Sequence, residues 1–219
     1  MVAEKSQKSK NVESIYPLSP MQQGMLFHSI YAPDSRVYCN QTLITISAEI
    51  NVIAFKRAWE QVVERYSVLR TLFLWEKRQQ PLQVVRKQVD LPWNYQDWRN
   101  LSSIEQQKRL DSLLETERRQ GFQLNQAPLM RCTLIRLSDQ TYKFCGIGIH
   151  ILLDGWCLPI IYQEVLTFYT AYSQGQNCYL PSPRPYQDYI IWLQQQDLSV
   201  AEAFWRRTLE GFTAPTPLV

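Results

Sequence analysis

Histidine is nearly absent from this chain, with two in 219 residues, His28 and His150. A metal centre built from several histidines is thereby excluded, and any imidazole chemistry must use one of these two rings. Cysteine is also sparse. The five copies, at positions 39, 132, 145, 157 and 178, are odd in number, widely spaced and without a C-x-x-C pair, which fits reduced thiols better than a disulfide framework or a zinc site. No apolar run reaches the roughly 18 residues of a membrane span, and the opening MVAEKSQKSK lacks the apolar stretch of a signal peptide. The expectation is a cytoplasmic protein with no membrane partner. A strong charge of one sign is lacking too: 23 Lys and Arg against 20 Asp and Glu leave a net charge of +3, too slight and dispersed for a nucleic-acid footprint. What is present is 45% hydrophobic residues with 20% charged ones, enough apolar surface for one compact domain or one lobe of something larger.

Helix-like and strand-like segments alternate along the chain. Ser19 and Pro20 cap and start a helix over about 20–31, in which His28 reads as a structural residue of an apolar helix. A β-branched stretch at 42–48 reads as a strand. Asn51 then caps a helix whose stripe of Phe55, Trp59, Val62, Val63 and Tyr66 is the clearest helical periodicity in the chain. Residues 70–75 and 82–87 read as a hairpin, and Ser102 with Glu105 forms a capping box for a helix over 103–120, stopped by Gly121. Strands at 130–137 and 142–151 follow, then an amphipathic helix ending before Gly175, a proline-stiffened LPSPRP loop, and two helices over about 186–195 and 200–210. Residues 1–14 read as a mobile lead and TAPTPLV, within 212–219, as a linker.

The segment that carries chemistry is IGIHILLDGW, residues 147–156. Side chains of a strand alternate between faces, so Cys145, Ile147, Ile149 and Ile151 point one way and Gly146, Gly148 and His150 the other. The second face is bare beside His150, leaving room for an elongated ligand to approach the imidazole. A histidine suits acid-base work because its unperturbed pKa is about 6.5. Asp154 either orients that ring or anchors its loop by pairing with an arginine, and Gly155 allows a tight path into the next helix. His-x-x-x-Asp alone has little specificity. Cys157, ahead of an apolar helix, reads as a packed free thiol. Gly146-x-Gly148 lacks the third glycine and following helix of a dinucleotide site, so a Rossmann reading fails.

These residues carry a resemblance. YPLSPMQQGMLFH at 16–28, RYSVLRTLF at 65–73, IHILLDGW at 149–156 and PYQDYIIW at 185–192 resemble, in order, core motifs of the condensation domains of nonribosomal peptide synthetases. The resemblance implies an α+β fold like chloramphenicol acetyltransferase, a mixed, mostly antiparallel sheet flanked by helices. It also implies amide bond formation between a carrier-bound acyl or peptidyl thioester and an aminoacyl amine. His150 matches the second histidine of the family's His-His-x-x-x-Asp-Gly signature and is implied to be its principal active-site residue. Asp154 matches the signature aspartate, with an implied structural role in a salt bridge to Arg70, or failing that Arg65, and Gly155 would keep space beside the thioester. Ile149 replaces the first signature histidine; alternation turns it away from His150, so the site is expected to be intact. Cys157 stands where the family has a serine.

The family's length implies that 15–211 is an N-terminal lobe, that 212–219 leads to a C-terminal lobe supplying the opposite wall of the site, and that the lobe alone is poorly active. No cofactor is expected to be bound, the substrates arriving on 4′-phosphopantetheine arms of donor and acceptor peptidyl carrier domains. The form SPMQQGMLFH resembles the subtype that accepts a D-residue donor, and the lead resembles a docking segment for an upstream synthetase. Two other classes fit fewer of the residues: a free-standing, trimeric acyltransferase using coenzyme A, and a catalytically silent carrier-docking module.

Overall fold

The computed structural model describes residues 11–214. Strands β1 (Val12–Pro17), β3 (Thr71–Leu74) and β4 (Leu82–Arg86) form a three-stranded antiparallel sheet in the order β1-β4-β3. Strands β2 (Cys39–Ile46), β5 (Trp93–Asp97), β6 (Met130–Ser138) and β7 (Thr141–Ile149) form the second sheet, ordered β2-β7-β6-β5. Its β2/β7 and β6/β7 pairs are antiparallel and β5/β6 is parallel. The chain is therefore α+β with mixed, mostly antiparallel sheets, as the resemblance implies.

The helices begin where side chains satisfy their first N–H groups. Helix α1 (Pro20–Tyr31) starts at a capping box in which Ser19 and Gln22 serve each other's backbone N–H. Helix α2 (Val52–Arg65) is capped by the Asn51 side chain, which accepts from the Ala54 N–H. Helix α3 (Ser103–Gln120) starts at the Ser102–Glu105 capping box and ends at Gly121, whose φ of 58° favours glycine. Helices α4 (Cys157–Ser173), α5 (Tyr186–Gln194) and α6 (Leu198–Thr208) follow the second sheet, α6 starting two residues before its expected first residue because Asp197 caps it.

The main core lies between the second sheet and the α2/α4 pair. Phe55, Trp59 and Val62 from α2 and Ile161, Val165 and Phe168 from α4 pack on Leu134, Tyr142 and Phe144. Trp59 stacks on Phe144 with centroids 4.9 Å apart, and Phe55 meets the same ring edge-on at 5.5 Å.

Two expectations need correction. The lead does not extend to residue 14: residues 1–10 lie outside the described region, but Val12–Pro17 pairs with β4, and Glu13 is bound by Arg70. His28 is not packed inside an apolar helix. Helix α1 buries only Gln22 and Leu26, and leaves His28 exposed with Phe27 at its edge, 5.5 Å between centroids.

Candidate active site

Strand β7 ends at Ile149, and His150 begins the turn that leaves the sheet. Its position is nonetheless fixed by the sheet: the His150 N–H donates to the Tyr38 carbonyl at 2.8 Å, continuing the β2/β7 ladder by one step. The Ile149 N–H donates to the Leu129 carbonyl and the Leu152 N–H to the Ile149 carbonyl, so the backbone on both sides of the histidine is held. The imidazole is half-buried. The Tyr38 ring lies nearly parallel to it, with a 15° interplanar angle and centroids 6.5 Å apart. From the same neighbouring strand, Asn40 Nδ2 lies 3.0 Å from His150 Nδ1.

The strand face that carries Gly146 and Gly148 opens on a hollow of about 70 Å³, which His150 itself does not line but which its neighbours Asn40, Gly148 and Ile149 do. Gly146 and Gly148 form its floor, Asn40 and Thr42 its β2 side, and Trp59, Ile161 and Tyr162 the helix side. Each floor position is bare for a reason the register makes plain. Gly148 lies between Asn40 and Met130, and Gly146 between Thr42 and Cys132, where larger residues would project into the space below Trp59. A Cβ on Gly146 would stand 3.3 Å from the Phe144 ring, so that glycine also lets the core close. Trp59 is only 3% exposed and its Nε1–H has no hydrogen-bond partner. The hollow is otherwise apolar, which suits it to a hydrocarbon portion of a ligand.

Asp154 is placed differently from the expectation. Its Oδ1 accepts from the N–H groups of Trp156 and Cys157, both at 3.0 Å, at the start of α4. Hydrogen bonds from the Cys157 side chain, and from these backbone groups, hold its carboxyl below the usual carboxylate range. Among the described residues, the expected salt bridge from Asp154 to an arginine is not formed. Arg70 instead pairs with Glu13 at 2.6 Å and donates to the carbonyls of Glu64, Arg86 and Lys87. Arg65 pairs with Glu164 at 2.8 Å and donates to the carbonyls of Leu180 and Pro181, tying α2 to α4 and to the proline loop. The physical reason is local: an Asp three residues ahead of the first helical residue finds free N–H donors immediately, whereas the two arginines close carbonyl-rich turns of their own.

The remaining sequence candidates fall around this frame. Gly155 is exposed, with open space where a Cβ would be. Its φ is not positive, so room rather than a strained backbone is what it provides. Ile149 is partly buried against the cluster of Leu18, Leu26, Leu124 and Leu129, and it also lines the edge of the hollow. Burial, and the neighbouring Asp154 carboxylate, push the Cys157 thiol up, which makes it a poor nucleophile. Tyr38 and Asn40 were not found in the sequence, because their relation to His150 exists only through the β2/β7 register.

An α+β fold of this topology, with a histidine just past the end of β7 and a glycine-floored hollow on the same sheet, is the arrangement that the sequence resemblance implies. The family comparison agrees: the chain matches the condensation domain model over residues 12–219 and belongs to that family. It is 42% identical over 208 residues to a linear gramicidin synthase of Brevibacillus parabrevis, covering 95% of this chain and 3% of that synthase. It is 37% identical over 211 residues to bacitracin synthase 3 of Bacillus licheniformis, covering 96% of this chain and 3% of that synthase. Among solved structures, the starter condensation domain of rhizomide synthetase superposes with a TM-score of 0.77 at 20% identity, covering 94% of this chain and 52% of that one. A variant of that domain, solved in complex with C8-CoA and Leu-SNAC, superposes with a TM-score of 0.82 at 20% identity, over 93% of this chain and 47% of that one. The chain thus spans a few per cent of the curated synthases and about half of the solved condensation domains. No helix among the described residues is long and apolar enough to cross a membrane.

Proposed function

We propose that this chain is the histidine-bearing N-terminal lobe of a condensation domain that joins an acyl or peptidyl thioester to an aminoacyl amine. Both substrates arrive on phosphopantetheine arms of carrier domains, and residues 15–211 act with a second lobe that completes the site. The observation that carries this reading is the His150 ring, half-buried just after β7, with its neighbour Asn40, 3.0 Å away, lining a glycine-floored and largely apolar hollow. In the reaction, the amine nitrogen attacks the thioester carbonyl carbon. The C–N bond forms, the C–S bond breaks, and the proton that nitrogen loses ends on the departing sulfur. A tetrahedral intermediate carrying negative charge on oxygen lies between, and a fixed imidazole beside it can stabilise that charge or move the proton. Asp154 contributes by holding the 154–157 turn at the head of α4, which sets the path of the chain just after His150.

The matched solved domain in complex with both C8-CoA and Leu-SNAC supports a donor and an acceptor meeting at one site. The free-standing trimeric enzyme is not favoured, since the solved condensation domains contain this fold as about half of a longer chain. The test is an assay of the completed domain with a loaded donor carrier and a loaded acceptor carrier. Amide product accumulating on the acceptor carrier is expected. Release of free acid without amide, or no consumption of the thioester, would contradict the proposal.

A further inference from the structure

We propose that Asn40 is a positioning residue that fixes the tautomer of His150, so that the ring presents Nε2–H to the substrate. The inference rests on the function proposed above for its consequence, but not for its observation. Asn40 Nδ2 lies 3.0 Å from His150 Nδ1. With the carboxamide turned so that its nitrogen, a donor, faces the ring, Nδ1 supplies its lone pair to this contact and the proton of the neutral ring resides on Nε2.

The sheet makes the contact possible. Asn40 pairs with Gly148 across β2/β7, and on a pleated face the residue two along from Gly148, His150, is its diagonal neighbour. Gly148 has no side chain to stand between them, so the carboxamide can reach over it to the imidazole. The backbone N–H of His150 is fixed to the Tyr38 carbonyl and the Tyr38 ring lies alongside, so the ring is restrained from the β2 side by Tyr38 as well as by Asn40. Asp154, the orienting group suggested by spacing alone, uses its carboxylate on the N–H groups of Trp156 and Cys157.

The consequence is a choice between the two roles open to the histidine. With Nδ1 engaged and Nε2 protonated, the neutral ring donates a hydrogen bond from Nε2 to the thioester carbonyl oxygen as it gains charge. It does not remove the amine proton, which passes from nitrogen to the departing sulfur as the C–S bond breaks.

The experiment is long-range proton–nitrogen NMR of the 15N-labelled 219-residue chain at alkaline pH, with the amide assay run in parallel on the completed domain. With two histidines in the sequence, the ring signals are assignable by His28→Gln. The expected wild-type spectrum shows an unprotonated Nδ1 and a protonated Nε2 for His150. Asn40→Asp, which offers only acceptor oxygens, is expected to exchange these two assignments and to slow amide formation by about tenfold or more. Asn40→Leu is expected to weaken the tautomer preference about threefold to tenfold, the worth of one ordinary hydrogen bond. Asn40 is exposed, so these changes do not enter the core, and the amide spectrum of the variants reports folding. A protonated Nδ1 in the wild type, or an Asn40→Asp spectrum identical to wild type, would overturn the assignment. Exchanged tautomers with unchanged turnover would overturn the positioning role. The tautomer is read without turnover, so a wild-type domain that makes no amide would refute the function proposed above while leaving the tautomer measurement to stand by itself.

Discussion

Replacing His150 by alanine in the completed domain is expected to lower the rate of amide formation by about 100- to 10,000-fold, the range over which a positioned acid, base or hydrogen-bond donor acts on a proton-coupled step. The loss should fall on the chemical step and leave carrier binding nearly unchanged. The residues that line the hollow, from Trp59 to Tyr162, do not include His150 and survive the substitution. Stability should change little, because the ring is only half-buried and its hydrogen-bonding neighbour Asn40 is exposed. Single-turnover measurement with both carriers loaded separates binding from chemistry. Turnover within threefold of wild type would show that the imidazole is not the reacting group.

The second large effect concerns folding. Arg70 is 6% exposed, and its guanidinium binds Glu13 of β1, the Glu64 carbonyl at the end of α2, and the Arg86 and Lys87 carbonyls where β4 ends. Arg70→Ala is expected to destabilise the chain by about 2–4 kcal/mol, because a buried side chain and the hydrogen bonds it makes to four acceptors are lost together. Glu13 is substantially exposed, so the ion pair contributes less than the carbonyl bonds. Arg70→Lys should recover only part of the loss, because a lysine ammonium cannot reproduce the planar fork that reaches three directions. Urea denaturation gives the shift in midpoint. An unchanged midpoint for Arg70→Ala would refute the account of this residue as the tie between α2 and the first sheet.

How much of this was legible in the sequence depended on whether the determining contacts are local. Helix starts were legible because the cap and the helix are neighbours in sequence, as with Asn51, and with Ser102 and Glu105. The hairpin of β3 and β4, and the β6/β7 pair, were legible from β-branched runs around polar turns. Strands β1 and β5 were not. VESIYP and WNYQD have little alternation, and each becomes a strand through a partner distant in sequence, β4 for the first and β6 in parallel for the second. The exposure of His28 was hidden because α1 carries Met21, Phe27 and Ile30 on its exposed surface, and composition does not say which apolar face a helix buries.

The site divides along the same line. The glycine-bare face beside His150 followed from strand alternation alone, which is a two-residue rule. The partner of Asp154 did not follow, since an aspartate there has a cap and a salt bridge both within its chemistry and only geometry selects the cap. Asn40 and Tyr38 were invisible for a further reason: 110 residues separate Asn40 from His150, and their contact depends on a register that no short motif encodes.

The central claim is that substrate meets the protein at His150 and not elsewhere on this lobe. It is tested most directly by titrating the 15N-labelled chain with a non-hydrolysable acyl-pantetheine analogue and following the imidazole resonances of its two histidines. The account predicts a saturable change at His150, with His28, exposed on α1, unmoved. Saturable binding that shifts His28 while leaving His150 unmoved, or no change at either ring at millimolar analogue, would contradict it.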